Sequence, residues 1–179
     1  HTRLQGDWSS DVCSSDLAIR NVALVGHGGA GKTMLMEALM HEAGAIDAVG
    51  AVERGTTVSD FEPEEKNHQH SLFSAVASFD HEGIHVNLID TPGYPDFLGR
   101  AIAPLAAVET AVVVIDARSG VQTTTRRMME AAEARGLARL IVVNRIDAED
   151  VDFDELLGSI QEAFGAQCLP INLPTPDGG

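Results

Sequence analysis

Apolar and polar positions along the chain follow two different spacings. Short apolar runs such as NVALV and AVVVI end at a glycine or an aspartate, as buried strands do, whereas stretches such as KTMLMEALMH repeat at helical spacing. The runs predict five strands, at residues 20–25, 71–79, 84–89, 111–115 and 140–143. The helical stretches predict four helices, at residues 32–41, 97–108, 123–134 and 153–164.

The order of these elements indicates a doubly wound, mostly parallel α/β sheet, because strands that alternate with helices pair in parallel through right-handed crossovers. In such sheets, ligands bind beyond the carboxyl ends of the strands. Residues 43–65 follow no sustained period and contain Gly50, Gly55 and Pro63, so we predict a long, mobile loop there. The 179 residues suit one domain with its own core.

The first predicted helix carries apolar side chains at several positions. Helical spacing places Leu35, Ala38 and Leu39 on one face. The same helix also contains three methionines, which we interpret as core filler rather than as a binding surface: Met34, Met36 and Met40.

Residues 1–17 are treated separately from the rest of the chain. The stretch from Asp7 to Leu17, DWSSDVCSSDL, resembles the translation of a common sequencing-library adapter; the alternative is a polar N-terminal tail. We therefore leave residues 1–17 out of the fold and expect their deletion to change neither the melting temperature nor ligand affinity. Cys168 is then the single cysteine, which excludes a disulfide framework and is consistent with a reducing cytosol.

Charge and hydropathy narrow the classes of function. The formal net charge of −15 lacks the basic footprint of a protein that binds nucleic acid by itself. No apolar run reaches the roughly 18 residues that a transmembrane helix requires. No secretory signal opens the chain, so we expect a cytoplasmic protein without a membrane partner.

The strongest motif lies between the first strand and the first helix. Residues 26–33 read GHGGAGKT and fit the phosphate-binding pattern G-x-x-x-x-G-K-[ST] in the strand-to-helix context that the pattern requires. Backbone N–H groups of such a loop converge on phosphate oxygens, the lysine reaches the β- and γ-phosphates, and the threonine hydroxyl binds Mg²⁺. The predicted nucleotide-binding residues of the loop are Gly26, His27, Gly28, Gly29, Ala30, Gly31, Lys32 and Thr33.

A second motif, DTPG at residues 90–93, follows the strand IHVNLI. Alone it is an ordinary turn. Downstream of a phosphate-binding loop, Asp90 is expected to hold Mg²⁺ through water, and the Gly93 N–H to meet a γ-phosphate.

The third motif, NRID at residues 144–147, follows the strand LIVV and resembles the N-K-x-D element of GTPases. Asp147 is expected to accept hydrogen bonds from the guanine N1–H and N2 amino groups, which adenine lacks. The resemblance also implies that Asn144 supports the base edge and the phosphate loop, and that the Arg145 stem lies along the base as the lysine of that element does. The alternative is a capped turn, because aspartate is common at helix starts.

Taken in order, these motifs and their flanking text resemble the G domain of elongation factor G. The similar stretches are AIRNVALVGHGGAGKT, DTPGYPDF, VVVIDARSGVQ, IVVNRID and AFGAQCLPINLP, and the resemblance runs from about Ala18 to the C-terminus. It implies a P-loop GTPase domain over residues 18–167, with GTP or GDP and Mg²⁺ as ligands, the ribosome as partner and a monomeric state. It also implies that residues 168–179 begin an inserted subdomain, and that the chain stops before the family's S-A-[KL] base-contacting element.

Three positions depart from that family's pattern. Gly29 stands where the family usually has an Asp tied to a cation site. The switch I text R-G-I-T is replaced by HQHS at residues 68–71, although Ser71 still offers a hydroxyl to Mg²⁺ beside Thr33 and Asp90. The histidine that positions the attacking water is replaced by Tyr94, so we expect slow hydrolysis with Lys32, Gly93 and Tyr94 as the catalytic set.

Several interpretations of function remain open. The leading one is a nucleotide-driven switch whose loops GTP and Mg²⁺ order and hydrolysis releases. The alternative that Tyr94 favours is a guanine-nucleotide-binding module with little or no hydrolysis, whereas NRID argues against a P-loop ATPase. A metal site in the loop, built from His68, His70, Glu64 and Glu65, has only weak support from spacing.

Overall fold

In the computed structural model, which describes residues 18–58, 71–148 and 151–173, the strands form one sheet in the order β2-β3-β1-β4-β5. Strands β1, β3, β4 and β5 run parallel, and β2 pairs antiparallel with β3 across a tight turn. The doubly wound, mostly parallel α/β fold is therefore confirmed. The strands are β1 Ile19–Gly26, β2 Ala75–His81, β3 Ile84–Asp90, β4 Thr110–Asp116 and β5 Ala138–Asn144.

Four α-helices cover the described part of the sheet: α1 Lys32–Glu42, α2 Leu98–Ile102, α3 Thr123–Glu133 and α4 Phe153–Phe164. The prediction of one helix over residues 97–108 is wrong. That stretch is divided between α2 and a 3₁₀ turn, Ala103–Ala106, because Pro104 has no N–H and its ring crowds the carbonyl of the preceding turn. In the described ranges, no helix is long and apolar enough to cross a membrane.

Two apolar layers form the core, one on each face of the sheet. Neighbouring residues of β1 point to opposite faces, so Leu24 packs in the layer under α1 and Val25 in the layer under α3 and α4. The α1 layer contains Met36 and Met40, as expected for core filler.

The face of α1 that carries Leu35, Ala38 and Leu39 is not its buried face. Ala38 and Leu39 are exposed, and Leu35 is only half-buried. The buried face instead carries Met36, Met40 and the carboxylate of Glu37. Met34 is exposed as well, so it is not core filler.

Candidate nucleotide-binding site

The three sequence motifs meet at the carboxyl edge of the parallel strands. The loop 26–33 follows β1, residues 90–93 end β3, and residues 144–147 follow β5. Hydrogen bonds join the first loop to each of the other two, through Thr33 and Asp90 and through Ala30 and Asn144. A doubly wound sheet places its ligand at this edge.

Lys32 is held inside its own loop. Its side chain is 6% exposed, and Nζ donates to the carbonyl oxygens of His27 at 2.8 Å and Gly26 at 3.3 Å. Burial lowers the pKa of Lys32, and the nearby negative charge of Asp90 acts in the opposite direction. The loop therefore places a partly desolvated cation where an anion would be bound strongly.

Three oxygen-bearing side chains meet around Thr33, and one of them, Asp90, is the carboxylate whose charge acts on Lys32. Thr33 Oγ1 donates to Asp90 Oδ2 at 2.5 Å and lies 3.4 Å from Ser71 Oγ. Hydroxyl and carboxylate oxygens are the ligand types that Mg²⁺ prefers. All three predicted metal residues are thus brought together, whereas the alternative set around His68 and His70 lies outside the described residues. Within the described ranges, no group of three or more His, Cys, Asp or Glu side chains is arranged to hold a metal.

Gly93 packs against the phosphate loop with no space for a side chain. A Cβ on Gly93 would collide with Lys32 Nζ and would lie only 2.6 Å from Gly28 N. The next residue, Tyr94, lays its ring over Gly28, since a Cβ there would meet ring carbons at 3.1–3.2 Å. Tyr94 is 42% exposed, so its other side faces solvent. Both predicted hydrolysis residues after Asp90 therefore contact the loop that holds Lys32.

Asn144 connects β5 to the same loop. Its Nδ2 donates to Ala30 O at 3.0 Å, and its Oδ1 accepts from Arg145 N at 2.9 Å. Gly31, at φ +89°, leaves no space for a Cβ against the Asn144 amide. The amide thus fixes the separation between the phosphate loop and the turn that carries Asp147, which is exposed.

The sequence model of the elongation factor Tu GTP-binding domain matches residues 17–172. The chain belongs to this family. The chain is 41% identical to the elongation factor G-like protein of Mycobacterium tuberculosis over 174 residues, which are 97% of this chain and 24% of that protein. It is 33% identical to the mitochondrial ribosome-releasing factor 2 of Anopheles gambiae, over 96% of this chain and 23% of that one.

A solved structure also matches. A crystal structure of a protein from Thermus thermophilus shares 43% identity and a TM-score of 0.84, over 88% of this chain and 24% of that one. The chain thus spans about a quarter of the length of the relatives it matches. Because the mycobacterial match covers 97% of the chain, it includes part of residues 1–17, whereas the family match begins at residue 17. The origin of residues 1–17 stays a prediction.

An anchor for Arg145 was missed by sequence reasoning. Arg145 has a left-handed backbone, φ +58°, and its Nη1 donates to Asp116 Oδ2 at 2.6 Å. Asp116 ends β4, is buried, and also accepts from the N–H groups of Arg118 at 2.9 Å and Ser119 at 3.2 Å. Burial by itself would raise the pKa of Asp116, but these N–H donors and Arg145 outweigh it and the pKa is lowered. The sequence did contain a signal for Asp116, because this aspartate directly follows the apolar run of a strand, as Asp90 does.

Glu37 is a second residue that sequence reasoning missed. Its buried carboxylate accepts from Gly50 N at 2.8 Å and from Val58 N at 2.5 Å. Residues 43–58, part of the predicted mobile loop, contain one 3₁₀ turn, Val52–Arg54, and are tied to α1 through Glu37. Residues 59–65 of that loop lie outside the described residues.

Proposed function

We propose that this chain binds GTP and GDP with Mg²⁺ and hydrolyses GTP, as the switch of an elongation-factor-G-like translation factor that acts on the ribosome. One observation carries the proposal: a buried lysine, three oxygen ligands and the NRID turn meet at one edge of the sheet. The names of the relatives, which include a ribosome-releasing factor, support the ribosome as partner.

The phosphate end would work through Lys32 and the backbone. An entering nucleotide offers phosphate oxygens in place of the carbonyls of Gly26 and His27, which Lys32 Nζ now contacts. The N–H groups of residues 26–33 and the N-terminus of α1 add further positive potential. Gly93, pressed against Lys32, would direct its N–H toward a γ-phosphate.

The oxygen set suits Mg²⁺. Thr33 and Asp90 are already in contact and Ser71 lies beside them, so the donor chemistry fits a hard divalent cation. When bound, Mg²⁺ neutralises phosphate charge. The role of the protein is to hold these three oxygens together and to keep Lys32 beside them.

The base end would read guanine through Asp147, with Asn144 setting its distance from the phosphates and Arg145 lying along the base. The test is nucleotide competition in the complete polypeptide that carries this domain. We expect GDP to outcompete ADP by about 10⁴-fold, because a carboxylate placed for two guanine donors is left unpaired by adenine. Asp147→Asn should shift preference toward xanthine nucleotides, since the amide can donate to the additional oxo group. Equal competition by ADP would remove the guanine assignment.

A second candidate, nucleotide binding with little hydrolysis, is favoured by Tyr94. Hydrolysis of GTP depends on orienting a water and stabilising charge. An imidazole can donate or accept a proton and can carry charge near neutral pH, whereas the hydroxyl of a tyrosine lies farther from the backbone and holds water at a different place. The Tyr94 ring lies over Gly28, which supports a role as a gate or weak water-orienter rather than as a base.

Single-turnover hydrolysis with and without ribosomes separates the two candidates. Tyr94→His should raise ribosome-stimulated turnover by about 10-fold or more if one water-orienting contact is restored. Tyr94→Phe should change little if the ring matters more than the hydroxyl. Fast turnover by the wild type, slowed by Tyr94→His, would instead identify Tyr94 as the group that supports hydrolysis.

A further inference from the structure

Arg100 connects the two chain segments that leave the phosphate end of the site, because it belongs to one of them and contacts the other. One segment, residues 72–74, follows Ser71, and the other, residues 95–100, follows Gly93 and Tyr94. The Arg100 guanidinium carbon is 4.5 Å from the centre of the Phe73 ring and 5.5 Å from the centre of the Phe97 ring. The cation therefore contacts one aromatic ring from each segment.

Two hydrogen bonds join the same segments. Arg100 Nη1 donates to Leu72 O at 3.0 Å, and Ser74 Oγ donates to Arg100 O at 3.4 Å. An arginine suits this place because a planar guanidinium can stack on rings while its edge donates in fixed directions. The predicted strand over residues 71–79 begins later, at Ala75, so residues 72–74 precede β2.

The segment after Ser71 matters because of where Ser71 sits. Its hydroxyl is 3.4 Å from Thr33 Oγ1, beside Asp90, while Gly93 touches Lys32. Under the proposed function, a γ-phosphate and Mg²⁺ would order Ser71 and Gly93, and hydrolysis would release them. A ligand shifts a conformational equilibrium only when it binds one conformation more tightly than the other. A protein contact that stabilises the ordered arrangement therefore strengthens binding of the triphosphate, which needs that arrangement, more than binding of the diphosphate.

We propose that Arg100 is a positioning residue that couples the two nucleotide-sensing segments, so that Ser71 and Gly93 take up their places at the triphosphate together. The proposal rests on the proposed guanine-nucleotide function. Arg100 itself touches neither the phosphate loop nor the three oxygen ligands among the described contacts; it acts through residues 72–74 and Phe97.

The test measures the dissociation constants of Mg²⁺-bound GTPγS and of GDP in the complete polypeptide. Arg100→Ala should weaken GTPγS binding by roughly 10-fold, the equivalent of losing about 1.4 kcal/mol of contacts, and change GDP binding less than about twofold. Arg100→Lys keeps the charge and the stem but loses the planar fork, so we expect an intermediate effect. Arg127→Ala, which removes an exposed arginine of α3, is the matched control and should change neither constant.

A double-mutant cycle makes the coupling specific. Ser71→Ala alone should also weaken GTPγS more than GDP, and adding Arg100→Ala to it should cost much less than Arg100→Ala costs in the wild type. Three outcomes would each overturn the proposal. They are additive losses of GTPγS affinity in the double variant, equal losses of affinity for GTPγS and GDP, and wild-type affinities in Arg100→Ala. If the wild type binds no guanine nucleotide, the proposed function fails first and this proposal falls with it. If Arg100→Ala does not fold, Arg100→Lys and its cycle with Ser71→Ala decide the matter.

Discussion

The phosphate end and the base end of the site are built differently. At the phosphate end, Lys32 and Asp90 are buried and Gly93 has no space for even one added carbon. At the base end, Arg145 and Asp147 are exposed. Arg145 also has a left-handed backbone, which is uncommon for a residue with a long side chain.

The difference follows from where each end is attached. The phosphate loop follows β1, the central strand, and packs against the ends of β3 and β4, so the core of the sheet sets its geometry. The base-reading turn leaves β5, at the sheet edge among the described strands, and is held by the side chains of Asn144 and Asp116. We infer that the phosphate end has its shape before the ligand binds. The shape of the base end depends instead on the few hydrogen bonds made by the side chains of Asn144 and Asp116.

The most damaging small change should be Gly93→Ala at the phosphate end. The added Cβ would press on Lys32 Nζ and on the backbone of His27 and Gly28, which cannot move without disturbing the loop. Overpacking of this kind costs about 1–3 kcal/mol, which corresponds to roughly a 10- to 100-fold loss of GDP affinity. Isothermal titration calorimetry with GDP measures this loss of affinity.

Gly99→Ala provides the matched control for that change. A Cβ on Gly99, on the exposed side of α2, meets no atom within 4 Å, so affinity should be retained and stability should rise by about 0.5–1 kcal/mol. Unchanged GDP affinity in Gly93→Ala would show that the phosphate end is not as closely packed as the comparison requires.

A smaller and more selective effect is expected from Asp116→Asn at the base end. Removing the charge of Asp116 loosens Arg145 and reaches the phosphate loop only through the field that this charge exerts on His27, so GDP affinity should fall by about 10-fold. Affinity for inorganic tripolyphosphate, which has no base, should stay within about twofold of wild type.

Glu109→Gln is the matched control for Asp116→Asn. Glu109 also accepts from a backbone N–H, that of Asn21, and the pKa of Glu109 is lowered first by the Asn21 side chain. It lies before β4, at the end of the sheet away from the site. Equal losses of GDP and tripolyphosphate in Asp116→Asn would mean that Asp116 supports the whole edge and not the base end alone.

The sequence was most informative where the signal is local. The five strands and the helices α1, α3 and α4 were predicted because apolar spacing and the glycine loop act over a few neighbouring residues. The break at Pro104 could have been predicted from the missing N–H alone. The three motifs could be placed together because parallel strands end at one edge of a sheet.

What the sequence could not provide were contacts between distant segments. The partner of Arg145 is 29 positions away, and Arg100 contacts Leu72 across 28 positions, so neither pair has a local spacing to reveal it. The buried face of α1 could not be identified from the sequence for a related reason. Glu37 is charged, so a polarity pattern places it outward, although the N–H groups of Gly50 and Val58 satisfy its carboxylate inside.

The smallest expected effect concerns His27, which tests whether the phosphate end is closed to water. Its ring is buried and Nδ1 lies 3.2 Å from Thr125 Oγ1. Burial lowers the pKa of His27 below 6.5, the charges of Lys32 and Arg145 lower it further, and Asp116 opposes them. An unfolded chain then binds a proton more readily than the folded domain does. The neutral His27 ring contributes fully to the free energy of unfolding above about pH 6.5. This contribution is lost as the pH falls from there toward the folded-state pKa, by at most about 1.4 kcal/mol per pH unit.

Urea unfolding of the nucleotide-free protein between pH 7 and 5 should show this dependence of stability on pH. The variant His27→Asn should flatten the dependence, whereas the variant His41→Asn, at an exposed position of α1, should keep it. If His27→Asn and wild type lose stability in parallel, the His27 ring is open to solvent and the phosphate end is no more closed than the base end.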